Sequence, residues 1–153
     1  MKNNTIVDKL ARTLERPELG KGGITPLPFV YADLDTQNIV LDNVGAPFAA
    51  VAPVSSSTVI DDHGRYHEQA TFEVYFGDLM CQSPPDYNAR ENERIIDECK
   101  QRALKWLAGL LPTKELRLDS VNSAQRAYMQ FDAITTGFLL NVTLYEVEGY
   151  GKC

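Results

Sequence analysis

The densest polar stretch of the chain is Asp61–Asp62–His63–Gly64–Arg65–Tyr66–His67–Glu68, which holds the only two histidines. Carboxylates and imidazoles are the ligand vocabulary of zinc and other divalent metals. On a helix, the interval between His63 and His67 would place both on one face. Gly64 and the alternating pattern that follows point instead to a turn leading into a strand, so the cluster reads as a solvated hairpin tip. Asp61 and Asp62, adjacent in a turn, do not define a general acid–base pair. Cys81 falls in a loop after a strand and offers a nucleophile to His63 or His67, yet no neighbour in sequence lowers its thiol pKa. Gly20–Lys21–Gly22–Gly23 has the composition of a phosphate-binding loop but not its order. Such a loop follows a strand and carries Lys after its last Gly and then Ser or Thr, whereas this one follows a helical pattern. We therefore expect no catalytic residue, no cofactor-binding residue and no metal ligand, with metal binding at the 61–68 hairpin as the alternative.

The elements that must position these residues are legible from periodicity. Tyr66, Glu68, Ala70, Phe72, Val74 and Phe76 fall on one parity, and His67, Gln69, Thr71, Glu73 and Tyr75 on the other. This predicts a long strand with one apolar and one polar face, the returning arm of an extended hairpin over about 58–76. Upstream, a helix is expected over 5–16, opened by a Thr5–Asp8 capping box, carrying Ile6, Leu10 and Leu14 on one face and stopped by Pro17. A flexible loop over about 17–28 follows. Short strands are expected over 29–34 and 38–44, and an apolar strand over 48–54. Ser55–Ser56–Ser57 reads as a loop before the hairpin.

Downstream, 78–87 reads as a loop, and Asn88 as the N-cap of a second helix with Glu91 at N3. That helix runs to about 111, with Ile96, Cys99, Ala103, Leu107 and Leu110 on its apolar face and its acids ahead of its bases, as the helix dipole favours. Cys99 reads as an inert core thiol. Trp106 lies beside that stripe, as a core residue or an interface anchor. Strands are expected over 116–121, 127–133 and 137–147, the last with Phe138, Leu140, Val142 and Leu144 on one face. Few strands are separated by helical crossovers. The fold class that follows is α+β, a mostly antiparallel sheet with an extended β-hairpin and two α-helices packed on one face, in a single domain over 1–153.

Composition narrows the function classes. A chain of 153 residues with 44% hydrophobic and 24% charged residues is that of a globular domain large enough for a proper core. The net charge of −6, without a basic run, argues against sequence-specific nucleic-acid binding. No apolar run is long enough to span a membrane, and no secretory signal is visible at the N-terminus. Cys81, Cys99 and Cys153 are odd in number and widely spaced, which fits reduced thiols in a cytoplasmic setting rather than a disulfide framework.

Three further stretches carry a likeness. They are Asn38–Ile39–Val40–Leu41–Asp42 leading to Pro47, Glu73–Val74–Tyr75–Phe76–Gly77–Asp78–Leu79–Met80, and Thr136–Gly137–Phe138–Leu139–Leu140 running into Glu146–Val147–Glu148–Gly149. With the order helix, strands, long hairpin, helix, strands, the chain resembles the small α+β proteins of tailed-phage necks and tails. These are the tail terminators, tail-completion and head–tail joining proteins, including prophage-type tail proteins of gut bacteria. The resemblance implies a structural virion component without enzyme activity or cofactor, assembled in the host cytoplasm. It also implies a homo-oligomeric ring, commonly a hexamer, contacting the tail tube and the head–tail connector. An acidic surface suits a protein beside a DNA channel, because like charge repels the phosphate backbone. The competing expectation is a small bacterial enzyme or ligand-binding domain with a pocket between sheet and helix.

Overall fold

A computed structural model describes residues 5–20, 27–31, 47–60, 62–79, 85–110, 116–130, 134–146 and 151–152. In chain order the elements are α1 (Ile6–Leu14), a 3-10 turn (Pro17–Leu19), β1 (Phe29–Tyr31), β2 (Phe48–Ile60), β3 (Arg65–Leu79), α2 (Pro85–Leu110), β4 (Leu116–Gln130), β5 (Ile134–Glu146) and β6 (Gly151–Lys152). They form one sheet of order β1-β2-β3-β5-β4, with β6 also pairing with β3. β2, β3, β5 and β4 run antiparallel to their neighbours, while β1 joins β2 in parallel. This is the α+β architecture expected from the order of elements.

Period 2 sets the helix-covered face. Ala49, Val51, Ala70, Phe72, Val74, Phe76, Leu140, Val142 and Leu144 alternate along three strands and are all buried. Leu10 and Leu14 of α1 and Ile95, Cys99, Ala103, Trp106 and Leu110 of α2 close over them. Burying each large apolar side chain contributes roughly 1.5–3 kcal/mol, so this layer supplies most of the drive to fold. Trp106 is fully buried, lies 5.9 Å from the Phe76 ring, and donates its indole N–H to the Thr13 hydroxyl at 2.9 Å. That bond joins the two helices and settles Trp106 as a core residue rather than an interface anchor.

Thr5 caps α1 as its sequence predicts. The Thr5 Oγ1 accepts from the Asp8 N–H at 3.2 Å, and the Asp8 carboxylate accepts from the Thr5 N–H at 3.1 Å. The Thr5 hydroxyl, then its N–H, holds the Asp8 carboxyl below its ordinary pKa.

Several boundaries differ from the sequence expectation. Residues 55–57 are not a loop: β2 runs unbroken from Phe48 to Ile60, and the irregularity is a register shift between Pro53 and Ser55. β4 is likewise one strand over Leu116–Gln130 rather than two, because bulges at Leu118/Ser120 and Val121/Ser123 interrupt its alternation without ending its pairing. α2 starts at Pro85, so Asn88 lies inside it and does not cap it. The buried stripe of α2 is rotated toward Ile95 and Trp106, leaving Ile96 and Leu107 half-buried. Of the loop expected over 17–28, Leu19 and Leu27 are buried in the core, and 21–26 lie outside the described residues. The strand expected over 38–44 also lies outside them, as do Cys81 and Cys153.

Tyr75 is the other departure. It falls on the polar parity of β3 yet is 1% exposed, packed at 5.9 Å against the Phe48 ring with Ala50 beside it. Its hydroxyl shares a 3.0 Å hydrogen bond with that of Thr135. Next to it, Gly77 and Gly137 sit opposite each other on β3 and β5. A Cβ at Gly137 would overlap the Phe76 carbonyl oxygen, so β3 and β5 need glycine there to approach this closely, and one at Gly77 would run into the Tyr75 and Phe48 rings.

Candidate functional site

The β2–β3 hairpin divides at Pro53. On the inner side its residues alternate into the core. On the outer side, 53–58 are exposed on both faces and Ile60 is 64% exposed. The turn residues Asp62 and His63 are exposed, and Gly64 adopts φ 77°, the left-handed conformation that glycine accommodates. The tip is the solvated turn that the sequence implies. Asp61 lies outside the described residues.

The two histidines occupy different parts of the hairpin. His63 is at the turn, while His67 lies on the helix-free face of β3, half-buried, opposite Val59 and 5.8 Å from the Tyr145 ring. Glu68 faces the other way and accepts a 2.8 Å bond from the Thr58 hydroxyl across the hairpin. Among the described residues, no group of three or more His, Cys, Asp or Glu side chains is placed to hold a metal ion. Cys99 is fully buried, and burial pushes its thiol up to about 12 despite the opposing pull of Arg102. A thiol so held is a packing residue, not a nucleophile. The interior between sheet and helices is filled by Phe72, Phe76, Trp106, Leu110 and Leu140.

Three features of this region are not visible in any local motif. The first anchors the hairpin root. Lys9 of α1 and Glu146 at the end of β5 form a buried ion pair, 3% and 7% exposed. The second carboxylate oxygen of Glu146 accepts the Glu68 backbone N–H at 3.3 Å. One carboxylate thus ties α1 to the point where the outer arm leaves the core. The only hint in the sequence is that Lys9 flanks Leu10 within the α1 pattern; the pairing partner is far along the chain.

The second feature is a row of hydroxyls on the helix-free face. Ser55, Thr71, Thr143 and Ser120 stand in register across β2, β3, β5 and β4. Thr71 and Thr143 are bonded at 2.9 Å. Asn122, the extra residue of the second bulge, donates to Asn141 at 2.9 Å and Thr143 at 3.0 Å. The third is β4 itself. Residues 121–126 are all exposed, Val121 at 40%, and the Arg126 guanidinium reaches across to Glu93 of α2. No described helix is long and apolar enough to cross a membrane. No protein-family model matches the chain, and no curated protein matches it.

Proposed function

We propose that this chain is a structural subunit of a phage or prophage virion, a tail-terminator or head–tail joining ring component that acts by protein–protein contact rather than by catalysis. The observation that carries this reading is the outer hairpin arm. Ordering each residue of a strand costs about 1–2 kcal/mol of backbone entropy, and a two-stranded ribbon alone is marginal in water. The 58–68 end of the hairpin extends past Gln69, the last β3 residue that β5 pairs, with only the two-residue β6 beside it, and β2 is exposed on both faces over 53–58. So outlying a segment adds little to folding, and its use lies in contact with another surface. The order of elements and the three stretches named above support the choice of a phage neck or tail ring. The net charge of −6 suits a subunit beside a DNA channel. Its neighbours in the virion are then the tail tube and the head–tail connector.

Light scattering across a range of concentrations, with negative-stain imaging of the heaviest fraction, tests the reading. A closed ring of about six subunits is expected, since head-to-tail interfaces that close by rotation give rings. A second variant replaces 58–68 with Asn-Gly, joining Ser57 to its partner Gln69 by a tight turn. It should stay folded and lose the ring. A strict monomer at every concentration, or a shortened chain that assembles like the native one, counts against the proposal.

A further inference from the structure

The sheet has two long margins. β1 covers β2 only from Ala49 to Val51, so among the described residues no strand lies outside the stretch 52–60. At the other end of the strand order stands β4, again without a described strand beyond it. Each margin has a regularly paired stretch with its outer backbone groups turned away from the sheet: 55–60 beyond the irregularity of β2, and 123–130 beyond the second bulge of β4. Among the described residues no strand meets these rows of donors and acceptors, and such rows are templates for another strand.

We propose that these margins pair with each other between copies of this chain, β2 of one hairpin arm adding to β4 of the next subunit. This inference rests on the ring reading and names the interface that would build it. Strand direction is the first support. Neighbours alternate through β2, β3, β5 and β4, so a second copy in the same orientation presents its β2 antiparallel to β4 and the alternation continues. Side-chain parity agrees. Ile60 shares the helix-covered face with Tyr66, and Val121 and Ala124 share it with Val142 and Leu140, so the joined sheet keeps its exposed apolar residues on one side. Leu104, 44% exposed, stands on the same α2 flank as Glu93, eleven residues earlier, which meets Arg126 of β4. It offers those apolar residues a further contact.

Charge speaks against one alternative. The arm, 54–69, carries Asp61, Asp62 and Glu68 against Arg65, so arm against arm would bring like signs together, whereas β4 carries Arg117 against Asp119 with Arg126 already paired to Glu93 of α2. A two-fold β4 pair would close at a dimer, whereas the head-to-tail contact leaves one free margin for each further copy.

Disulfide trapping tests this in the full-length chain carrying Cys81→Ser and Cys153→Ser. A Ser57→Cys chain is mixed in turn with Ser123→Cys, Gln125→Cys and Ala127→Cys chains. All four positions lie on the helix-free face by register, and the scan covers the possible stagger. The expected result is a mixed cross-linked dimer at one β4 position, in clear excess over what either chain forms alone. Cross-links confined to like chains of the β4 series would overturn the proposal in favour of a two-fold pair. Rings without any mixed cross-link would overturn this pairing and leave the ring reading standing. No assembly and no cross-link would remove both.

Discussion

β2 and β3 pass through two environments in one continuous ladder. Their inner halves place Ala49, Val51, Phe72, Val74 and Phe76 at 4% exposure or less beneath two helices. Beyond Pro53, β2 lies in solvent on both faces over 53–58, while the facing β3 residues 67–69 and Thr71 are half-buried and Ala70 is buried. The backbone pairing hardly changes from one half to the other, so the ladder does not explain why the inner half is the stable one. Apolar burial does, at roughly 25 cal/mol per Å² removed from water. The outer half is held by cross-strand pairs such as Thr58 with Glu68, each contributing about 0.2–1 kcal/mol, and by the anchor at Glu146. Substitutions should therefore separate the halves: inner ones lower stability, outer ones leave stability and change assembly.

The largest effect belongs to Trp106→Ala. It removes the fully buried indole and the 2.9 Å bond to Thr13, and should cost about 3–5 kcal/mol, read as an earlier denaturant midpoint with unchanged slope. A loss below about 1 kcal/mol would mean that α1 and α2 are not packed through this ring. Next comes Lys9→Met, which leaves the Glu146 carboxylate buried without its cation, at a cost of about 3 kcal/mol. Adding Glu146→Met should recover a large part of that loss, because an apolar pair of similar volume carries no desolvation penalty. If the double variant is worse than the single one, the tie from Glu146 to the Glu68 N–H matters more than the ion pair.

Cys99 gives a pH-dependent effect of smaller size. Its folded pKa is raised from 9.0 to about 12. Between those values the unfolded chain releases a proton that the folded chain keeps, so stability falls as pH rises. The slope is at most about 1.4 kcal/mol per pH unit for one group. Cys99→Ala should therefore lose stability less steeply than the native chain from pH 9 upward in matched denaturation series. Parallel slopes would show that other groups dominate the alkaline limb. Thr5→Ala, which deletes the capping box, should cost about 1 kcal/mol by the same assay.

How far the sequence reached depended on how local the determining physics was. The face assignments of β3 and β5 needed only alternation, and Ala70, Phe72, Val74, Phe76, Leu140, Val142 and Leu144 are buried as that alternation requires. The Thr5–Asp8 cap needed only a four-residue window. Ser55–Ser56–Ser57 was illegible as strand because serine runs signal loops, and what keeps these residues extended is pairing with Thr71, Ala70 and Gln69 of β3. β4 was split for a similar reason: each bulge flips the side-chain parity, so no single period runs through it. Tyr75 defied its parity because the helix-free face has its own small core with Phe48 and Ala50, set by tertiary contact rather than by pattern. Of the candidate site, the turn at Gly64 was readable. The Lys9–Glu146 anchor and the β4 margin depend on residues far apart in sequence and carry no local signature.

The smallest effect on stability and the sharpest on function are expected at Ile60. Its side chain is 64% exposed near the end of the arm, so Ile60→Lys removes no core contact and should shift stability by no more than about 0.5 kcal/mol. A lysine on an edge strand resists the addition of another strand, and edge positions in natural sheets carry lysine for that reason. The variant should therefore melt with the native chain yet fail to form higher species in light scattering. Unchanged assembly would place the contact elsewhere on the arm. A substantial loss of stability would instead mean that Ile60 packs within its own subunit, and the contrast between the two halves of the hairpin would then not hold at its tip.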